Sequence, residues 1–148
     1  MSARNPWLTI GGWLSALASL LHIGCIIGGP DWYRFFGAGE AMARAAERGE
    51  IYPAVVTFAI AAVLAVWAAY AFAGAGLIRR LPLLRTALVA ITAVYLLRGL
   101  ALVPIAFQPA AQTPFNIWSS LIVLAYGLVH LVGTIKAWPY LSSKESFA

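Results

Sequence analysis

Four long apolar runs, Trp7 to Gly29, Pro53 to Gly76, Leu84 to Phe107 and Ile117 to Trp138, divide the chain and leave only short polar stretches between them. Each is close to the roughly 20 residues that a helix needs to cross a bilayer, so the pattern predicts an all-α bundle of four transmembrane helices. The breaks carry their own chemistry. Gly28, Gly29 and Pro30 close the first run, Pro53 opens the second, Pro82 separates the second from the third, and Pro109 and Pro114 bracket the last turn. Trp7, Tyr52, Trp118, Trp138 and Tyr140 fall near run ends, where amphipathic rings prefer the headgroup level.

Composition sharpens this reading. Apolar side chains make up 62% of 148 residues and charged ones 10%, against roughly 45–50% and 25% in soluble domains, so too little charge exists to cover a water-facing surface. The expectation is one integral membrane domain over residues 1–148. The net charge of +5 is scattered as single residues and pairs, which serves membrane topology and not nucleic-acid binding. Arg4, Arg79, Arg80, Arg85, Lys136 and Lys144 share one side when both termini are cytoplasmic. Arg34, Arg44 and Arg48 fall in the 30–52 connection together with Asp31, Glu40, Glu47 and Glu50, which makes that loop external. The single Cys25 excludes an internal disulfide framework and a paired-cysteine redox site. Gly24 and Cys25 invite a lipoprotein reading, but His22 stands where that signal wants leucine, so retention of the first run is expected.

The external loop reads as structured. Pro30 and Asp31 open a short turn holding Trp32, Tyr33, Phe35 and Phe36, an aromatic group suited to the interface. An alanine-rich helical piece follows, in which Glu40 precedes Arg44 by four residues, the favourable order for an ion pair. Small residues from Ala54 to Ala75, and at Gly24 and Gly28, predict close packing of the first two spans.

Ionisable residues within lipid are functional candidates by default, and here they are His22, Arg98 and His130; no span holds Asp or Glu. At 1.5 Å per residue, Arg98 lies about 21 Å beyond Leu84 and His22 about 22 Å beyond Trp7, so both sit in the outer half. Tyr95 shares the helical face of Arg98, and Asp31 or Glu40 would reach down to offset its charge. His130 falls about 10 Å deeper than His22, a stagger that disfavours one shared haem. Ser119, Tyr126 and His130 form one polar stripe on the last span, and Gly12, Ser15, Ser19 and His22 another on the first. Arg98 as a structural tie to Asp31 or Glu40, with neutral histidines bonded between helices, stands beside the functional reading. No phosphate loop, clustered Cys and His set or serine nucleophile elbow occurs in the sequence, and no cofactor is expected.

The stretches Tyr33 to Ala43, including Gly37-Ala38-Gly39-Glu40, then Gly74 to Arg85, and Tyr95 to Leu100, resemble a family of small uncharacterised bacterial four-span inner-membrane proteins. The resemblance covers about the first two thirds of the chain and implies an inner-membrane location without an activity. Small multidrug exporters are similar only in span number, and four-span sterol isomerases only in architecture, because the intramembrane carboxylates of both are missing here.

The expected function is ligand handling: a pocket for a lipid-like or apolar molecule in the outer half, with His22, Asp31, Tyr33, Glu40, Tyr95, Arg98, Tyr126 and His130 as candidate contacts and the Trp32 to Phe36 segment as lid. The alternative is an accessory or scaffold subunit bound to a larger membrane protein or to copies of itself; a dimeric transporter or intramembrane enzyme ranks third. Membrane lipids are the expected partners.

Overall fold

The computed structural model describes residues 4–142, so Lys144 lies outside the described residues. All regular structure among them is helical: α1 (Pro6–Gly28), α2 (Pro30–Phe35), α3 (Glu40–Glu47), α4 (Tyr52–Gly74), α5 (Leu84–Leu100), α6 (Leu102–Ala106) and α7 (Pro114–Ser142), with a single 3-10 turn at Pro109–Ala111. Four stretches are long and apolar enough to cross a membrane: Pro6–Gly28, Tyr52–Gly74, Leu84–Ala106 and Pro114–Leu141. No more than 28% of the most apolar window of any of them is buried within the protein. Trp13, Leu20, Ile27, Leu97 and Ile135 all stand open on the outside. Surface of this kind is stable only against hydrocarbon, and the fold fits a polytopic membrane protein.

The third span is one stretch by hydropathy but breaks between α5 and α6. Pro104 supplies the reason, because its ring removes the hydrogen bond to the carbonyl of Leu100 four residues earlier and crowds it. The bundle is built from two intimate pairs, α1 along α4 and α5 along α7, joined chiefly where α1 meets α7. Small residues permit the approach. A Cβ on Gly99 would lie 2.5 Å from the Cα of Leu124, so α5 and α7 touch backbone to backbone there. Polar groups tie the pairs: the Ser19 hydroxyl donates to the carbonyl of Ala61 on α4 at 2.7 Å, and the hydroxyls of Thr92 and Thr134 meet at 3.4 Å between α5 and α7.

Three clusters fill the interior. Leu8, Leu84, Leu88, Ala137 and Leu141 pack at the end that holds the termini; Leu64, Ile91 and Tyr95 pack at mid-depth; Cys25, Tyr33 and Ala43 pack beneath the α2–α3 cap at the other end. At the terminal end, Arg85 stacks 4.1 Å from the Trp138 ring centroid, Arg80 lies 5.3 Å from that of Tyr140, and Lys136 lies 5.5 Å from that of Trp7. These aromatics seat the cations at the interface, where their charge meets water.

Asn5 locks that end. Its side-chain oxygen accepts from the backbone N–H groups of Trp7 and Leu8, its amide donates to the carbonyl of Gly133 at 2.7 Å, and its own backbone N–H donates to the carbonyl of Ala75. One residue therefore caps α1 while holding it to α4 and α7. Replacing Asn5 by Ala removes the cap and the α7 tie together, and a loss of about 1–2 kcal/mol is expected. Thermal unfolding in a mild detergent reads it, and an unchanged midpoint would refute the role.

Candidate functional site

The polar side chains fall into three groups at different depths. The deepest surrounds Tyr95 on α5. Its hydroxyl hydrogen-bonds that of Ser15 on α1 at 2.9 Å, and its ring meets Trp67 of α4 at 5.0 Å and Tyr126 and His130 of α7 at 5.7 and 5.0 Å between centroids. Four spans converge on this one ring. His130 is fully buried against Gly11, where a Cβ would stand 2.8 Å from the imidazole, so only glycine leaves room. Its Nδ1 lies 2.9 Å from the carbonyl of Tyr126. A carbonyl only accepts, so Nδ1 carries the hydrogen, and the bare Nε2 has no partner among the described residues.

His22 repeats this geometry within α1, with Nδ1 2.8 Å from the carbonyl of Ala18. His130 lies against Gly11, eleven residues before His22, which separates the two imidazoles by about 16 Å along the helix. That exceeds the stagger expected from sequence and prevents one iron from taking both nitrogens.

Arg98 forms the second group and faces outward. One terminal nitrogen donates to the Ser120 hydroxyl at 3.0 Å and the other to that of Ser119 at 3.3 Å. Ser120 is buried, whereas Arg98 is exposed on the flank of the bundle. Among the described residues no carboxylate oxygen lies within 4.0 Å of this guanidinium. The expected offset by Asp31 or Glu40 is therefore corrected: both acids are held in the cap, and two hydroxyls orient Arg98 without neutralising it.

The cap is the third group, with Arg34 at its centre. Arg34 donates to both oxygens of Glu40, at 2.9 and 3.0 Å, and to Glu47 at 2.7 Å, while Arg44 donates to Glu40 at 3.0 Å. Glu40 and Glu47 are seven residues apart on one face of α3, which lets one fork from α2 clamp both. Hydrogen bonds from Arg34 and then Arg44 hold the Glu40 carboxyl down at about 2, and the two carboxylates raise the Arg34 guanidinium further above its ordinary value. Asp31 is left aside, 3.6 Å from Arg34 and almost fully in the open. Tyr33 is buried in the cluster under the cap, and its hydroxyl has no partner among the described residues. It borders a cavity of about 210 Å³ between the end of α1 and the start of α4, with Glu50 on the rim.

The structure thus brings Tyr95, Tyr126 and His130 together and disperses the rest. His22 bonds within its own helix, Arg98 points outward, and Asp31, Tyr33 and Glu40 belong to the cap. Gly24 and Gly28, expected to join the first two spans, instead seat the Trp32 ring: a Cβ on Gly28 would lie 2.2 Å from its Cγ. Close packing of those spans is found all the same. The sequence reading passed over Ser120 as the buried anchor of Arg98, Trp67 beside Tyr95, and Arg34 as the hub of the cap. Only the last had a signal, the Glu40–Arg44–Glu47 spacing on one helical face. Comparison with protein-family models, curated proteins and solved structures finds no match.

The lowered Glu40 pKa has a definite sign. Its charge-paired contribution is complete above the ordinary carboxylate range and is lost as pH falls toward about 2. Amide exchange over residues 31–47 is expected to stay protected at pH 4 and to open near pH 2. Because the pairs are solvent-exposed, high salt would weaken them. Opening already complete at pH 4 would refute the clamp.

Proposed function

We propose that this is a bacterial inner-membrane protein that binds a lipid-like anionic molecule in the outer half of the bilayer, with Arg98 as the headgroup contact. The observation that carries the reading is the guanidinium itself: it lies within an apolar span, exposed on the flank, oriented by Ser119 and Ser120, with no described carboxylate beside it. An arginine in the hydrocarbon layer costs about 2.5–3.5 kcal/mol, and an anion is the group that offsets it. A phosphate fits the planar fork of donors, and Leu97, Leu121 and Ile122, close in sequence to Arg98 and Ser120, are exposed apolar surface for chains. The site in this reading is an open flank in place of the enclosed pocket expected from the sequence. Support for termini on the cytoplasmic side comes from Arg79, Arg80, Arg85 and Lys136 at one end, against a cap at the other end in which acids outnumber arginines. The same exposed Arg98 also favours a second reading, an accessory subunit whose partner carries the missing carboxylate in its own span.

The test is native mass spectrometry of protein released in neutral maltoside, with phosphatidylglycerol and phosphatidylcholine offered as probes. Phosphatidylglycerol retention is expected to fall at least tenfold in Arg98→Gln, about 1.4 kcal/mol, and less in Arg98→Lys, with the unfolding midpoint kept. Equal retention by wild type and Arg98→Gln overturns the lipid reading. A protein companion held in fixed ratio and lost in Arg98→Gln replaces it with the accessory reading.

A further inference from the structure

Asp31, Trp32 and Phe35 of α2, with Phe36 just after it, line an open concavity of about 470 Å³. Three rings and one carboxylate make an unusual lining. The Trp32 and Phe36 centroids are 5.6 Å apart and those of Phe35 and Phe36 are 5.0 Å apart, the latter nearly perpendicular, and Trp32 and Phe35 keep 43% and 77% of their surface open. Interfacial anchoring explains the rings but not the acid. Asp31 makes no helix cap, its side chain is 95% exposed, and Arg34 meets it only at 3.6 Å through Nη1, while Nε and Nη2 hold Glu40 and Glu47 at 2.7–3.0 Å. Across the cap, the four carboxylates Asp31, Glu40, Glu47 and Glu50 face three guanidiniums, which leaves one negative charge in excess, and Asp31 is the most exposed of the four.

We infer that this concavity is a binding site for an organic ammonium group, with Asp31 as counter-ion and the rings of Trp32, Phe35 and Phe36 as its cation-binding walls. An ammonium or trimethylammonium group within about 6 Å of an aromatic centroid is drawn to the ring face, and the carboxylate supplies the charge that a neutral ligand would not repay. The wall is set in advance. Trp32 is wedged on Gly24 and Gly28, which leaves little ordering to be done on binding. The site uses none of the residues around Arg98 and stands whether or not that guanidinium takes an anion.

The experiment uses the full chain in neutral maltoside micelles, with saturation-transfer NMR on the N-methyl signal of decyltrimethylammonium and of tetramethylammonium. Saturable binding is expected, at least tenfold tighter than that of the uncharged tert-butyl analogue of the probe. It is expected to weaken at least tenfold in Asp31→Asn and severalfold in Phe35→Leu, while Arg98→Gln leaves it unchanged. Phe35 is 77% exposed, so its replacement tests the walls without disturbing the core. Equal affinity for the tert-butyl analogue, or undiminished binding by Asp31→Asn, overturns the assignment. Binding of the decyl probe alone identifies a lipid headgroup as the source of the ammonium, and equal binding of tetramethylammonium identifies a free solute; both outcomes uphold the site.

Discussion

Hydrocarbon cannot solvate a polar group, and that constraint decides how every hydroxyl, imidazole and guanidinium in this bundle is arranged. The helices satisfy their backbones internally, so what remains is a small set of side chains that must find partners within reach. Ser19 gives its proton to a carbonyl of the neighbouring span, Thr92 to its own helix, and Ser15 and Tyr95 share one between them. Each is short and close to a helix axis. Arg98 differs because hydroxyls orient its nitrogens without cancelling the charge.

The spans were legible because lipid demands about 20 apolar residues and forbids much else, and the breaks at Pro30, Pro82 and Pro114 follow from ring geometry. The Glu40–Arg44 pair was legible for a similar reason, since a four-residue spacing fixes a contact within one helix. Depth was legible only in part: the rise per residue gives the two histidines a stagger of about 10 Å, and the contact of His130 with Gly11 makes it about 16 Å. Azimuth was not. Tyr95 and Arg98, three residues apart, belong to adjoining parts of the α5 surface, yet one enters the core and the other faces out. A rotation of α5 by a fraction of a turn separates these outcomes, and what sets it is the fit of Gly99 against Leu124 and Gly127 against Leu96. In spans apolar on every side, no amphipathic stripe announces that rotation beforehand.

The two ends solve the problem of charge at an interface in opposite ways. At the terminal end, cations lie singly on aromatic rings and leave their heads to water. At the cap, acids and arginines neutralise one another in a network in which Arg34 serves Glu40 and Glu47 at once. A network of this kind stiffens two helices too short to persist alone, of six and eight residues. Because Nε and Nη2 of Arg34 hold the two glutamates, only Nη1 is left for Asp31, at 3.6 Å, and that acid beside the rings is the most loosely paired of the cap.

Cap and flank are also coupled through α7. Gly37, in the turn after α2 with φ 68°, lies so close to Phe115 that a Cβ there would be 2.1 Å from the ring. Only glycine combines that backbone with that approach, so the cap is fixed on the first turn of α7. Ser119 lies four residues further along, on the same face as Phe115, and it holds Arg98. Phe115, against which the cap rests, and Ser119, which orients the guanidinium, are one turn apart on the same helix. The register of α7 therefore governs both the position of the cap and the level at which a positive charge stands in the apolar layer.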